Sequence, residues 1–194
     1  INSNQLKYDA YFKLFDDSER YIRTIRSVLA EMNEESRFAT LEEILKRLGH
    51  VNSSELKRKV DGLADKYNDI VLAGAKSCAE LPGAETALKW LAKHYKLYVS
   101  STTPDVSLKK IVNFRGWGRF FVDVFGYPHE KSTTLQQIIE REKVNPSQVL
   151  VVGDGESDRS SAKQNSCLFL HVGKTFNFNR FHNYIEDIQQ NHIS

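Results

Sequence analysis

Three short polar segments, each following an apolar run, carry side chains that could handle a phosphoryl group and a divalent cation. In Val151-Val-Gly-Asp-Gly-Glu-Ser-Asp158 the apolar run meets an acidic turn interrupted by glycines. Asp154 ends the run, and Asp158 falls four positions later, on the first turn of the helix expected next. Carboxylate oxygens in that arrangement are hard ligands suited to Mg²⁺ beside a phosphate. Helix capping alone would need one acid at the positive terminus, whereas this turn gathers Asp154, Glu156 and Asp158. In Leu97-Tyr-Val-Ser-Ser-Thr-Thr-Pro104, four hydroxyl residues follow an apolar strand and a proline opens the next helix. Hydroxyls and the free N–H groups of a helix start suit a phosphoryl oxygen. Thr103 before Pro104 reads as an N-cap with proline at the first helical position, which leaves Ser101 and Thr102 as the phosphate-binding candidates. In Phe125-Gly-Tyr-Pro-His-Glu-Lys131, a lysine begins a helix. A cation there opposes the macrodipole by about 0.3–1 kcal/mol unless an anion lies nearby, so Lys131 is a third candidate.

These segments must be positioned by the elements around them, and the chain changes its pattern in the middle. From about Asn4 to Ser77 the periodicity is helical. Tyr21, Ile25, Val28, Leu29 and Met32 repeat at helical spacing. Thr40-Leu-Glu-Glu43 has the form of a capping box ahead of Leu41, Ile44, Leu45 and Leu48, closed by Gly49. A third helix, capped by Asn52 or Ser53, has Leu56, Val60, Leu63, Tyr67, Ile70 and Val71 as its apolar stripe. After Leu81-Pro82-Gly83, helical stretches at Ala84–His94, Pro104–Asn113, Lys131–Glu142 and Glu156–Asn165 alternate with strand-sized runs. Those runs are Leu97–Ser100, Phe121–Phe125, Val149–Val152 and Leu168–Val172. Such alternation predicts right-handed crossovers and a parallel sheet covered on both faces, with ligands bound beyond the carboxyl ends of the strands. All three candidate segments lie at such ends.

Composition narrows the function classes. With 27 basic and 25 acidic side chains the formal net charge is +2, which gives no electrostatic footprint for nucleic acid. Lys57, Arg58 and Lys59 alternate with apolar positions on a helix and read as a solvated face. Hydrophobic residues at 40% with only 4 Pro and 10 Gly describe a globular chain, and its apolar runs are too short to span a bilayer. The expectation is a cytoplasmic protein with no membrane contact, whose two cysteines, Cys78 and Cys167, are reduced and mostly buried. The aromatic run Phe176, Phe178, Phe181 and Tyr184 reads as a docking surface for a C-terminal helix. Opening on Ile rather than Met is consistent with further sequence upstream.

Taken in order, the three strand ends resemble the haloacid-dehalogenase superfamily. Its second motif, a Ser or Thr ending a strand, looks like Ser101; its third, a Lys, looks like Lys131. Its fourth, a GD-x-x-x-D turn, looks like Gly153-Asp154 to Asp158. Leu81-Pro-Gly-Ala84 is similar to the hinge of the phosphoglycolate-phosphatase-like and beta-phosphoglucomutase-like branch. The resemblance implies an α/β, Rossmann-like core with a parallel sheet flanked by helices over 79–194, and a helical cap over 1–78. It also implies Ser101, Lys131 and Asp154 as catalytic residues, with phosphate bound by Ser101, Thr102 and Lys131. Mg²⁺ is then the cofactor, held by Asp154 and Asp158, and a small phosphorylated metabolite is the substrate. The expected state is a monomer or weak homodimer.

One motif is absent. The family's nucleophile lies in an apolar strand ending in D-x-D-x-T, and no such segment occurs here. Asp16-Asp17-Ser18 follows an amphipathic stretch with Tyr8, Tyr11, Phe12 and Phe15. Ile1-Asn2-Ser3 looks like the tripeptide that follows the motif, so the resemblance places the missing strand upstream of Ile1, between the strands that carry Ser101 and Asp154. With it, the implied reaction is attack on a phosphomonoester through an aspartyl-phosphate. Without it, a catalytically silent binding or regulatory protein is the alternative. A phosphomutase shares the core, and a halide-removing enzyme has no need of the acidic turn.

Overall fold

A computed structural model describes residues 1, 3–32, 35–50, 53–173 and 175–191. It divides into two compact units, residues 2–78 and residues 79–194 joined by Ile1. Assignment of Ile1 to the second unit differs from a boundary drawn at 1–78, because this side chain packs against the cluster of Leu108, Val112, Trp117, Phe120 and Val124.

The first unit holds α1 (Asn4–Phe12), α2 (Glu19–Glu31), α3 (Arg37–Arg47) and α4 (Ser53–Ser77). Its core follows from the helical stripes: Ile25 and Val28 from α2 meet Leu41, Ile44 and Leu45 from α3 and Ala64, Tyr67 and Val71 from α4. Tyr11 of α1 closes the cluster, its ring 4.7 Å from that of Tyr67. The start of α3 is not the capping box expected at Thr40. Ser36 is the cap, its Oγ accepting from the Ala39 N–H at 3.2 Å. Thr40 belongs to the same face as Leu41 and Ile44 and is buried, so its hydroxyl donates to the Ser36 carbonyl at 3.1 Å. The close of α3 follows its sequence signal. Gly49 has φ of 99°, and the N–H groups of Gly49 and His50 bond back to Lys46 and Leu45, both at 3.0 Å. Of the two candidate caps of α4, Asn52 lies outside the described residues and Ser53 is the first residue of the helix.

The second unit runs α5 (Ala84–His94), β1 (Tyr98–Pro104), α6 (Asp105–Phe114), β2 (Asp123–Tyr127), α7 (Lys131–Glu142), β3 (Leu150–Gly153), α8 (Glu156–Gln164), β4 (Leu168–His171) and α9 (Phe181–Asn191). β1 pairs with β2 and β3 with β4, both in parallel. One helix spans the two ribbons on one face. α5 packs Leu88 and Ala92 against the cluster of Leu108, Val112, Trp117, Phe120 and Val124, and its Ala87 forms with Phe181 and Ile185 a second cluster, against which Trp90, Leu91, Leu150 and Leu170 pack. The aromatic run docks α9 onto this helix, with Phe181 only 2% exposed and its ring 5.4 Å from Phe178. α7 and α8 are tied together where Asn165 Nδ2 donates to the Ser132 carbonyl at 3.1 Å.

Of the strand and helix boundaries that differ from the sequence reading, two have a visible cause. β2 begins at Asp123 rather than Phe121, because Phe120 and Phe121 pack into the cluster before the strand starts. β1 runs on to Pro104 through an irregularity after Ser100, since Pro104 pairs again with Tyr127. Pro104 is therefore the N-cap of α6, not its first helical residue, and Thr103 lies within the strand.

Among the described residues β1 and β3 share no ladder. Between them lies a hollow of about 1280 Å³, with Tyr98 and Ser100 on one side and Leu150, Val151 and Val152 on the other. The Ser100 hydroxyl is buried with no hydrogen-bond partner. α7 contributes Thr134, Leu135 and Ile138 to the walls, while Lys131 and Asp158 line the hollow where the carboxyl ends of β2 and β3 lead into α7 and α8.

Candidate active site

β3 carries its chain into Gly153, which is buried, and then releases it at Asp154, which is exposed. Close approach dictates the glycine: a Cβ there would lie 2.4 Å from Asp158 Cγ and 2.5 Å from Asp158 Oδ2. Asp158 folds back over the turn from the first turn of α8. Its Oδ2 accepts from the Gly155 N–H at 3.3 Å, and its Oδ1 accepts from Lys131 Nζ at 2.7 Å.

Lys131 opens α7, the place where a cation is disfavoured by the helix dipole. The Asp158 carboxylate offsets that cost, and Lys131 Nζ also donates to Ser157 Oγ at 3.0 Å. The two charged side chains are 16% and 14% exposed, so the pair is held at reduced dielectric and in a fixed geometry. Sequence reasoning found Lys131 and Asp158 separately but not their bond, and it missed Ser157. The signal for Ser157 was its place beside Asp158 in the same turn.

Ser101 sits in the irregular part of β1. Its Oγ accepts from the Thr103 N–H and donates to Thr103 Oγ1, both at 3.2 Å, a local turn that draws the hydroxyl onto its own backbone. Thr102 between them is exposed. Bulges of this kind re-aim side chains at sheet ends. Asp105, not singled out by the sequence, secures the neighbouring corner. Its Oδ1 accepts from the Gly126 N–H at 3.0 Å. Its carboxyl is held below the usual range by the bond from Lys109, and further by that from Gly126.

The amino end of the hollow is polar as well. Glu142 accepts from Lys96 and from the Tyr98 hydroxyl. These bonds, that from Lys96 foremost, lower the Glu142 carboxyl. Burial and then the adjacent Glu142 push Tyr98 up to about 12.

The structure thus joins Lys131, Ser157 and Asp158 directly, places Asp154 at the adjoining strand end, and holds Ser101 and Thr102 at the carboxyl end of β1. Among the described residues no three His, Cys, Asp or Glu side chains converge as a metal cage. Mg²⁺ is usually held by one or two carboxylates, with waters and substrate phosphate completing its shell. Asp154, exposed at a strand end, suits one such ligand, whereas both oxygens of Asp158 are engaged.

A family model described as haloacid dehalogenase-like hydrolase matches residues 4–165. A phosphoglycolate phosphatase of Vibrio vulnificus is 26% identical over 133 residues, which cover 66% of this chain and 57% of that protein. The chain therefore spans little more than half the length of this curated relative. Among solved structures, one described as the HAD-hydrolase YfnB of Bacillus subtilis bound to magnesium superposes with a TM-score of 0.62 at 16% identity, over 87% of this chain and 81% of that one. A 2-haloacid dehalogenase of Pseudomonas syringae pv. Tomato gives 0.53 at 18% identity, over 95% and 90%. At these identities the two structures establish a common fold. Among the described residues no helix is long and apolar enough to cross a membrane.

Proposed function

The chain belongs to the haloacid dehalogenase-like hydrolase family, and from that premise we propose that it forms most of a magnesium-dependent phosphohydrolase acting on a small phosphomonoester. The observation that carries this reading is the hollow between β1 and β3, which is also lined by Lys131 and Asp158. Among the described residues neither β1 nor β3 has a ladder partner on the side facing it. Each buried backbone group left unpaired would cost roughly 1–3 kcal/mol, and a native stability of about 5–15 kcal/mol cannot absorb a whole strand of them. A further strand, parallel to both neighbours, satisfies those edges. Its carboxyl end then arrives beside Lys131, and there we place the nucleophilic aspartate, on a segment preceding Ile1.

In this reading the aspartate attacks phosphorus in line, the alkoxide leaves, and water later hydrolyses the aspartyl-phosphate. Lys131 donates to the phosphoryl oxygens and stabilises charge that grows in the transition state. Asp158 and Ser157 hold its ammonium in place. Ser101, Thr102 and the backbone N–H groups at the irregular end of β1 orient the phosphate. Asp154 would hold Mg²⁺, whose charge offsets that of the phosphoryl oxygens when bound. For Asp158 to be a second metal ligand it would have to leave Lys131; positioning Lys131 is the role its contacts support. The helical unit is assigned substrate selection and exclusion of water, and 2-phosphoglycolate, the substrate class of the Vibrio vulnificus relative by name, is the first compound to try.

Acid quenching of the natural polypeptide during turnover of a ³²P-labelled phosphomonoester tests this reading. Label on an aspartate in the strand preceding Ile1 is expected. Turnover with label on any other residue would overturn this placement of the nucleophile, and neither label nor phosphate release from a folded protein would transfer the assignment to a silent binding protein.

A further inference from the structure

The helical unit contains a second hollow, of about 360 Å³, formed within that unit alone. Its apolar floor is Phe15, Tyr21, Leu45 and Leu63, with the Phe15 and Tyr21 rings 5.9 Å apart. Its rim is cationic: Arg58, Lys59 and Lys66 from α4, with His50 from the turn after α3. Among the described residues no Asp or Glu contributes to the lining.

Two details indicate more than a solvated face. Arg58, Gly62 and Lys66 recur every four residues, so they form one row along α4. Eight residues at 1.5 Å each put Arg58 and Lys66 about 12 Å apart along the axis, with Gly62 midway. Glycine weakens a helix interior relative to alanine, and packing does not require it here, because an added Cβ would meet nothing within 4 Å. The bare position keeps the floor open between the two cations. The second detail concerns donors. Lys59 Nζ lies 3.2 Å from His50 Nδ1 and can only donate, so Nδ1 accepts and the neutral ring keeps its proton on Nε2. Lys59 is also paired with Glu55 at 2.9 Å, which makes Arg58 and Lys66 the principal charges and His50 Nε2 a neutral donor.

We propose that this hollow binds a small organic anion with a single-ring apolar body. The ring lies on Phe15, Tyr21 and Leu63 over Gly62, and the acid group meets Arg58 or Lys66. A volume near the lower limit of ligand pockets suits one ring and not a dinucleotide or a peptide.

Phenylphosphonate, which carries the ring and the charge but has no ester to hydrolyse, is the probe. Its binding to the full chain can be followed by calorimetry and by NMR shifts of the Tyr21 ring. The expected result is one saturable site that moves Tyr21, weakens severalfold between 50 and 300 mM salt, and weakens at least tenfold in R58E/K66E. G62L should weaken it by a similar factor while leaving every charge in place, and leucine at this helical position favours folding. Phenol and inorganic phosphate, each tried alone, should bind at least tenfold more weakly. K131M should leave the Tyr21 response unchanged, which separates this site from the one in the α/β unit. Binding that survives G62L, binding lost in K131M with Tyr21 unmoved, or no saturation by 10 mM would each overturn the proposal.

Discussion

The bond between Lys131 and Asp158 gives the site its most specific residue-scale consequence. If Lys131 contacts the phosphoryl group, K131M should lower kcat by about 10²–10³-fold, the usual effect of removing one preorganised donor. If Asp158 acts through its bond to Lys131, D158N should lower activity by about 10–100-fold, as loss of an orienting partner commonly does. Steady-state kinetics on the two single variants and the double variant check this, and near-additive losses would contradict it, because residues that act as a unit are not additive. Glu142 makes a separate prediction. Bonds from Lys96 and Tyr98 hold its carboxyl below its usual 4.5. A carboxyl depressed in the folded state stabilises the fold above its unfolded value and loses that contribution as pH falls through the folded one. E142Q should therefore be less stable than the parent in urea at pH 7, with the gap closing below about pH 4.5. At this scale the sequence revealed residue types at strand ends. It did not reveal that Ser101 would turn onto Thr103, or that Asp158 would turn onto Lys131, because both depend on backbone turns shaped by neighbouring strands.

Where elements begin and end decides which side chains reach the site. α5 and α7 occupy the spans that their periodicity marks, Ala84–His94 and Lys131–Glu142, because amphipathic spacing and clear boundaries agree there. The start of α3 and the end of β1 were not legible. Thr40 looks like a cap locally but is pulled into the core with Leu41 and Ile44, and the irregularity after Ser100 exists only because β2 offers Tyr127 to Pro104. That corner yields a test. A Cβ on Gly126 would lie 2.4 Å from Asp105 Cα and 2.6 Å from the Thr103 carbonyl oxygen. Backbone on both sides cannot move away as a flexible side chain could. G126A should cost about 1–3 kcal/mol, as overpacking does, read as a lower urea midpoint with unchanged slope. Stability equal to the parent would show that β1, β2 and α6 are not locked together as described.

For the whole molecule, the change from helical periodicity to alternating helix and strand was readable, and the parallel pairing within each ribbon follows from it. Strand order was not, since periodicity reports which residues are buried and says nothing about which edge meets which. The hollow between β1 and β3 is therefore a structural finding, and with Lys131 and Asp158 it converts a set of strand ends into a proposed reaction centre. The proposed metal dependence belongs at this scale because it would need the acidic turn, the lysine and the proposed further strand together. The most direct measurement is release of inorganic phosphate from 2-phosphoglycolate and a panel of small phosphomonoesters by the natural polypeptide, with Mg²⁺ and with EDTA, beside its D154N variant. Release that requires Mg²⁺ and falls at least a hundredfold in D154N is the predicted result. Release indifferent to Mg²⁺ or to D154N, or no release from any phosphomonoester by the folded protein, would contradict the account.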